Sequence, residues 1–335
     1  MFAEECAASG RNAGLTRQHA AKRASGSGGR SEDAVRLETR CHWGLVGDRR
    51  VRELIPWWVR IGVKLVLSRA PVGYGLWRRL GVFRHGEMHH PAYALDVFRA
   101  HFARARIPAG AGFVALELGP GDSLASAIIA AAHGATHTHL VDAGRYATAN
   151  LGAYRELCRY LRGQGLQPPD LDSVHDIESL LQVCRASYGT RGLDSLREIQ
   201  AESVDFVWSN AVLEHVRRGV FAEFVRETRR VVRHGGICSH QIDLQDHLGG
   251  ALNNLRVPSH WWEAEWMARS GFYTNRLRMP DIIHAFEAAG FRVEVLAASR
   301  WDALPTPLYA LSPEFRNYEV VDLLVKSFAV ALSPA

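Results

Sequence analysis

The chain has 335 residues, of which 47% are hydrophobic and 22% are charged, and these values exclude global disorder and predict a globular protein with a sizeable core. The formal net charge is +5, but the basic residues are dispersed rather than gathered in a run, so the sequence does not favour a nucleic-acid acceptor. The five cysteines form no C-x-x-C pair, which argues against a disulfide framework or zinc ribbon and predicts a cytoplasmic location.

The N-terminal third divides into two parts by composition. Residues 1–40 are rich in Ala, Gly, Ser and Arg without periodicity, and we predict a disordered tail. Residues 41–110 predict a helical N-terminal cap or lid, whose last helix covers 91–106. Within it, the apolar stretch 54–68 is too short to span a bilayer. It is either a helix packed on the main domain or an interfacial helix that makes peripheral membrane contact.

From residue 111 the pattern alternates between short apolar runs and amphipathic segments. The predicted strands cover 113–118, 138–142, 204–209, 237–244, 291–298 and 320–332, with a further strand near 183–188. The predicted helices cover 123–134, 221–232 and 280–290, and the glycines of RHGG (233–236) are expected to end the second of these. This alternation predicts an α/β domain with a doubly wound, Rossmann-like, mostly parallel sheet.

The strongest local motif is ELGPGDS (117–123), directly after a predicted strand and before a helix. Glycines there allow a tight turn and close approach to a ligand, and the helix N-terminus offers unpaired N–H groups. Asp142 follows at the end of the next strand, where a carboxylate can accept both hydroxyls of a ribose. Since NAD and S-adenosylmethionine both contain such a ribose, these two features leave both cofactors open.

Four motifs in order resemble those of the class I S-adenosylmethionine-dependent methyltransferases: ELGPGDS (117–123), LVDAG (140–144), VDFVWSNAVLEHV (204–216) and RRVVRHGG (229–236). The resemblance implies a methyltransferase domain over 111–335, with a seven-stranded sheet whose last strand is antiparallel and with the helical segment as an N-terminal extension. It also implies S-adenosyl-L-methionine as cofactor. The residues implied to bind it are Glu117, Gly119, Pro120, Gly121, Asp142, Asp194, Asn210 and Ala211.

If the acceptor is a hydroxyl, a general base helps the transfer, and histidine is the usual candidate. We predict His240, His215 and Asp243 as the catalytic residues. The cluster of His240, Asp243, Asp246 and His247 is also a candidate metal site, but its spacing is not diagnostic and we assign no metal. The aromatic segment 247–279 is expected to form the pocket or lid for a small-molecule, saccharide or lipid-like acceptor.

Two alternatives stay open from the residues alone. The first is an NAD(P)-dependent Rossmann oxidoreductase, although Leu124 occupies the last position of the G-x-G-x-x-G pattern. The second is a catalytically silent protein that retains the cofactor fold. The sequence does not predict an oligomeric state.

Overall fold

The computed structural model describes residues 88–108 and 110–335, together with Val59. The predicted tail 1–40, most of the predicted cap and, apart from Val59, the apolar stretch 54–68 lie outside the described residues. Among the described residues, no helix is long and apolar enough to cross a membrane.

The described chain forms one seven-stranded sheet with the order β3-β2-β1-β4-β5-β7-β6. Its strands are β1 (Phe113–Leu118), β2 (Ala135–Val141), β3 (Ala186–Gly189), β4 (Val204–Asn210), β5 (Val232–Asp243), β6 (Phe291–Arg300) and β7 (Val325–Pro334). The pairs from β3 to β5 are parallel, and β7 runs antiparallel to both of its neighbours. The predicted seven-stranded sheet with an antiparallel last strand is therefore confirmed.

Helices cover both faces of this sheet, as its alternating pattern predicts. They are α1 (Pro91–Ala105), α2 (Ala125–Ala132), α3 (Leu151–Gly163), α4 (Ile177–Val183), α5 (Leu193–Arg197), α6 (Arg218–Val231), α7 (Ser259–Trp262), α8 (Glu265–Ala268), α9 (Met279–Ala288) and α10 (Val320–Leu323). Short 3-10 turns lie at Leu213–His215, Asn253–Arg256, Leu308–Ala310 and Pro313–Phe315. The helix predicted over 91–106 is confirmed as α1.

Two hydrophobic cores form because successive side chains of a strand point to opposite faces. On one face, Phe206 and Trp208 of β4 pack edge-on against Phe98 of α1. On the other face, Val207 of β4 belongs to the core that contains Phe286 of α9. These two layers hold β1, β4 and β5 between them, so their carboxyl ends meet at one edge of the sheet.

The structure differs from the predicted elements at two places. Helix α6 passes directly into β5 at Val232, so the RHGG glycines belong to the strand instead of ending the helix. A Cβ on Gly236 would lie 3.0 Å from the carbonyl oxygen of Val204, which shows that the close approach of β4 requires this glycine. The segment predicted as one strand over 320–332 begins with α10, of which only Leu323 is buried.

Candidate functional site

A tight turn follows β1 at the carboxyl edge of the sheet. Gly119 and Gly121 adopt φ values of +71° and +67°, in the left-handed region that favours glycine. The N–H of Gly119 donates to the carbonyl oxygen of Val141 at 2.8 Å, which ties the turn to β2. A Cβ on Gly119 would lie 2.5 Å from Cγ2 of Val212, so the loop after β4 packs directly on the turn.

Asp142 follows β2 and faces this turn. Its carboxylate accepts one hydrogen bond from the N–H of Gly121 at 2.9 Å and another from the N–H of Ala143 at 2.7 Å. Its backbone is held by Gly189 and Gly192, at 2.9 Å and 2.8 Å. An ionised carboxylate offers about four acceptor positions, so it can bind several donors at once. The structure thus brings together the glycine turn and the acid that the sequence singles out.

Glu117 lies beneath the turn, in the interior. Its side chain is 4% exposed and accepts a hydrogen bond from the hydroxyl of Ser126 in α2. Burial raises the pKa of Glu117 to about 8, and the charge of Asp142 adds to this shift. The carboxyl group is therefore largely protonated at neutral pH.

Three further residues predicted to bind the cofactor, Asn210, Ala211 and Asp194, lie at or after the ends of β4 and β3. Ala211 has a φ of +55°, a strained conformation for a residue with a Cβ, and its N–H donates to the carbonyl oxygen of Gln241 at 2.9 Å. The Asn210 side chain is hydrogen-bonded to His101 of α1. Asp194 lies in the first turn of α5, where its exposed carboxylate pairs with Arg197 at 2.7 Å.

A second cluster lies in the loops after β4 and β5 and consists of Glu214, His215 and His247. We call these three residues the Glu-His corner. One ligand-capable atom from each side chain lies within 4.8 Å of the others. The rings of His215 and His247 stack with centroids 4.9 Å apart. Nδ1 of His215 lies 2.8 Å from the carbonyl oxygen of Tyr273. Since a carbonyl only accepts, Nδ1 carries the hydrogen and Nε2 of the neutral ring holds the lone pair.

Glu214 is the most buried member of the corner, at 2% exposure. In the described part of the chain, neither of its carboxylate oxygens has a hydrogen-bond partner. Burial raises the pKa of Glu214 well above its usual value, and the nearby charge of Asp243 raises it further. The sequence analysis did not name Glu214, and it named His247 only in a candidate cluster to which it assigned no metal. Their signal was the LEH tripeptide after β4 and a histidine shortly after β5.

Of the predicted catalytic residues, His215 and Asp243 lie at this edge and His240 does not. The His240 ring is 1% exposed, bonds Ser209 through Nδ1 at 2.8 Å and stacks on Phe286 with centroids 5.9 Å apart. Burial lowers the pKa of His240 to about 3, with a smaller effect from Arg104. This position in the core corrects the interpretation of His240 as a base, because the enclosed ring is out of reach of an acceptor.

Asp246 also has a structural role. Its two carboxylate oxygens accept four backbone N–H groups, from Leu248, Gly250, Ala251 and Asn253, at 2.7 to 3.2 Å. The carboxylate therefore organises the loop that carries His247.

The aromatic segment after β5 separates into a buried and an exposed set. Trp262, Phe272 and Tyr273 lie in a core of their own, and the indole N–H of Trp262 donates to the carbonyl oxygen of Thr274 at 2.7 Å. Trp261 and Trp266 are 56% and 40% exposed and meet edge to face with centroids 6.3 Å apart. Within this segment, the second set is therefore the one exposed to solvent.

Residues 177–239, which include β3, β4 and the LEH turn, match a family model described as a methyltransferase domain. Over this segment the chain is therefore similar to methyltransferase domains. The order of the four motifs in the sequence agrees with this similarity.

Among similar solved structures is the CurJ carbon methyltransferase, 13% identical with a TM-score of 0.41 over 72% of this chain and 54% of that one. An S-adenosylmethionine-dependent methyltransferase from Mesorhizobium loti is 16% identical with a TM-score of 0.39, over 71% of this chain and 99% of that one. A Haemonchus contortus N-methyltransferase was solved with phosphomonomethylethanolamine and S-adenosylhomocysteine. It is 14% identical with a TM-score of 0.40, over 72% of this chain and 53% of that one. This chain thus spans about half the length of the first and third. No curated protein matches it.

Proposed function

We propose that the protein transfers a methyl group from S-adenosylmethionine to an oxygen atom of a small-molecule, saccharide or lipid-like acceptor. The observation that carries the cofactor half is the Asp142 carboxylate, held by the N–H of Gly121 at 2.9 Å beside the Gly119 turn. In open α/β sheets, ligands bind beyond the carboxyl ends of the strands, and this carboxylate lies at that edge.

In this proposal the cofactor lies over Gly119, Pro120 and Gly121, with its ribose hydroxyls on Asp142. Asn210 and Ala211 line the site after β4. Asp194 binds the adenine amine, which requires its carboxylate to turn from Arg197, and this exposed pair costs little to open. Glu117 supports the turn from below as a protonated carboxyl group.

The cofactor supplies an electrophilic methyl group on a sulfonium, and the protein supplies position and exclusion of water. The acceptor half of the site is the edge formed by the loops after β4 and β5. Val212 packs on Gly119, and Glu214 and His215 follow it within three residues, so this edge adjoins the cofactor turn. The exposed rings of Trp261 and Trp266 offer flat apolar surfaces suited to a ring-bearing or sugar-like acceptor.

Calorimetric titration tests the cofactor assignment. The protein should bind S-adenosylhomocysteine and not NAD, and Asp142→Ala should weaken binding about 10- to 100-fold, since a hydrogen bond to a charged group contributes about 1.5–3 kcal/mol. The matched control is Asp172→Ala, which removes an exposed carboxylate from the loop between α3 and α4. Binding of NAD alone would instead establish an oxidoreductase. Binding of neither ligand would refute the cofactor site.

The oxygen acceptor is tested with S-adenosylmethionine that carries a carbon-13 methyl group. The enzyme is incubated with this cofactor and an extract of the source cells, and the labelled product is examined by NMR. A methyl carbon at the chemical shift of a methoxy group or methyl ester supports the proposal. A label on nitrogen or carbon would overturn the choice of acceptor atom.

A further inference from the structure

The Glu-His corner contains a buried carboxyl group to which no described residue is hydrogen-bonded. Buried carboxylates in proteins are normally paired, hydrogen-bonded or bound to a metal ion. Neither oxygen of Glu214 has a hydrogen-bond partner in the part of the chain that the structure describes, although the side chain is 2% exposed. The other members of the corner supply nitrogen atoms within 4.8 Å of this carboxyl group.

The spacing of the three side chains suits a single cation. Their ligand-capable atoms all lie within 4.8 Å of one another. Bonds of about 2.1 Å from carboxylate oxygen and imidazole nitrogen to one metal ion place ligand atoms about 3–4 Å apart. A small side-chain adjustment therefore closes the corner around an ion.

The surroundings fix the orientation of these side chains. The Nδ1–H of His215 donates to the carbonyl oxygen of Tyr273, which is the arrangement that orients metal-binding histidines. Asn275 braces the turn of Glu214 and His215, since its side-chain amide donates to Leu213 O at 2.8 Å and to Val216 O at 3.0 Å. The Asp246 carboxylate braces the loop of His247 in the same way.

We propose that Glu214, His215 and His247 bind one first-row divalent cation of the class that favours imidazole nitrogen, such as Zn²⁺. Two imidazoles and one carboxylate form a donor set for Zn²⁺ or Fe²⁺, whereas Mg²⁺ prefers oxygen donors. Three protein ligands leave coordination positions open. An acceptor oxygen would occupy one of them, a role that rests on the methyl transfer proposed above. This site departs from the sequence analysis, which assigned no metal.

Binding is tested on full-length, tag-free protein after treatment with a chelator. Co²⁺ serves as the probe because its visible absorption reports the ligands around it, and competition with Zn²⁺ and Mg²⁺ then ranks the cations. We expect one equivalent of Co²⁺ to bind and Zn²⁺, but not Mg²⁺, to displace it. Glu214→Gln, which keeps the shape of the side chain and removes its charge, should weaken binding at least tenfold. His247→Gln should do the same.

The matched control is His175→Ala, which removes an exposed histidine beside Asp176 and should bind Co²⁺ like the parent. Equal affinity in the parent and Glu214→Gln, or displacement by Mg²⁺ in preference to Zn²⁺, would overturn the proposal. Thermal unfolding of the metal-free proteins shows whether each variant folds, and Glu214→Gln should unfold no earlier than the parent because it keeps the size of the side chain. Titration of the same samples with S-adenosylhomocysteine separates the two proposals. Cofactor binding without Co²⁺ binding refutes the metal site alone, and the reverse refutes the cofactor site alone.

Discussion

The contact between Gly119 and Val212 predicts a large effect from adding one methyl group to the glycine turn. In Gly119→Ala, the new Cβ would lie 2.5 Å from Cγ2 and 2.6 Å from Cγ1 of Val212. Such distances are far below van der Waals contact, so the loop after β4 or the turn must move. The φ of +71° adds a backbone cost, because a Cβ is disfavoured in the left-handed region.

The two costs can be separated with a second glycine. Gly165 has a φ of +77°, and a Cβ there would meet nothing within 4 Å. Gly165→Ala should therefore lower the free energy of unfolding by about 1–2 kcal/mol, from the backbone alone. Gly119→Ala should carry the same cost and a further 1–3 kcal/mol, roughly, from overpacking. The sum for Gly119→Ala is about 2–5 kcal/mol.

Urea denaturation measures these differences, and the double variant Gly119→Ala/Val212→Ala isolates the contact. Val212→Ala removes both clashing methyl groups but keeps the Cβ, which would lie 3.1 Å from the new one. The double variant should therefore recover most of the overpacking cost and keep the backbone cost. S-adenosylhomocysteine affinity should fall in Gly119→Ala and stay at the parent value in Gly165→Ala. Equal destabilisation by the two single variants would refute the close contact between the loops.

Two further predictions concern pH. Glu117 has a pKa of about 8 in the folded protein against about 4.5 when unfolded. The free energy of unfolding should therefore fall as pH rises from about 4.5 to 8. Relative to Glu117→Gln, the slope should reach up to about 1.4 kcal/mol per pH unit. His240 has a pKa of about 3 when folded against 6.5 when unfolded. Its contribution to the free energy of unfolding should therefore be present above pH 6.5 and be lost as pH falls towards 3. The limiting slope relative to His240→Asn should be the same as for Glu117. Urea denaturation across each pH range measures both.

Parallel pH profiles of the parent and Glu117→Gln would show that the Glu117 carboxyl is solvated instead of buried beneath α2. Similarly, a His240→Asn variant that follows the parent below pH 6.5 would place the His240 ring in water and restore its candidacy as a base.

The sequence predicts the glycine turn and Asp142 because their signals are local. The run FVALEL and the glycines after it lie within a few residues of each other, and the structure begins and ends β1 where the pattern does. The glycines of RHGG show where local reasoning stops. A glycine that ends a helix and a glycine that lets two strands approach have the same sequence signal, and only the position of the Val204 carbonyl distinguishes them.

The residues at the end of β5 are harder to predict, because their roles depend on which face of the strand each side chain takes. His240 and Asp243 are three residues apart on β5, so they point to opposite faces, and His240 enters the core beneath α9 while Asp243 reaches the strand end. The burial of a charged side chain is equally hard to predict from the sequence, as Arg278 shows. Its guanidinium is 1% exposed and donates to carbonyl oxygens of Leu244 and Val325, although its residue type predicts the surface.

The strain at Ala211 suggests how the two halves of the site are held together. A residue with a Cβ stays at a φ of +55° only where its surroundings compensate, and here its N–H is bonded to Gln241 of β5. That conformation directs the chain so that Val212 lies on Gly119 and Glu214 turns inward two residues later. The cofactor turn and the Glu-His corner are therefore joined by five consecutive residues, 211–215. A ligand that moves Gly119 must act on Val212, and through this short connection on the side chains proposed to hold the cation.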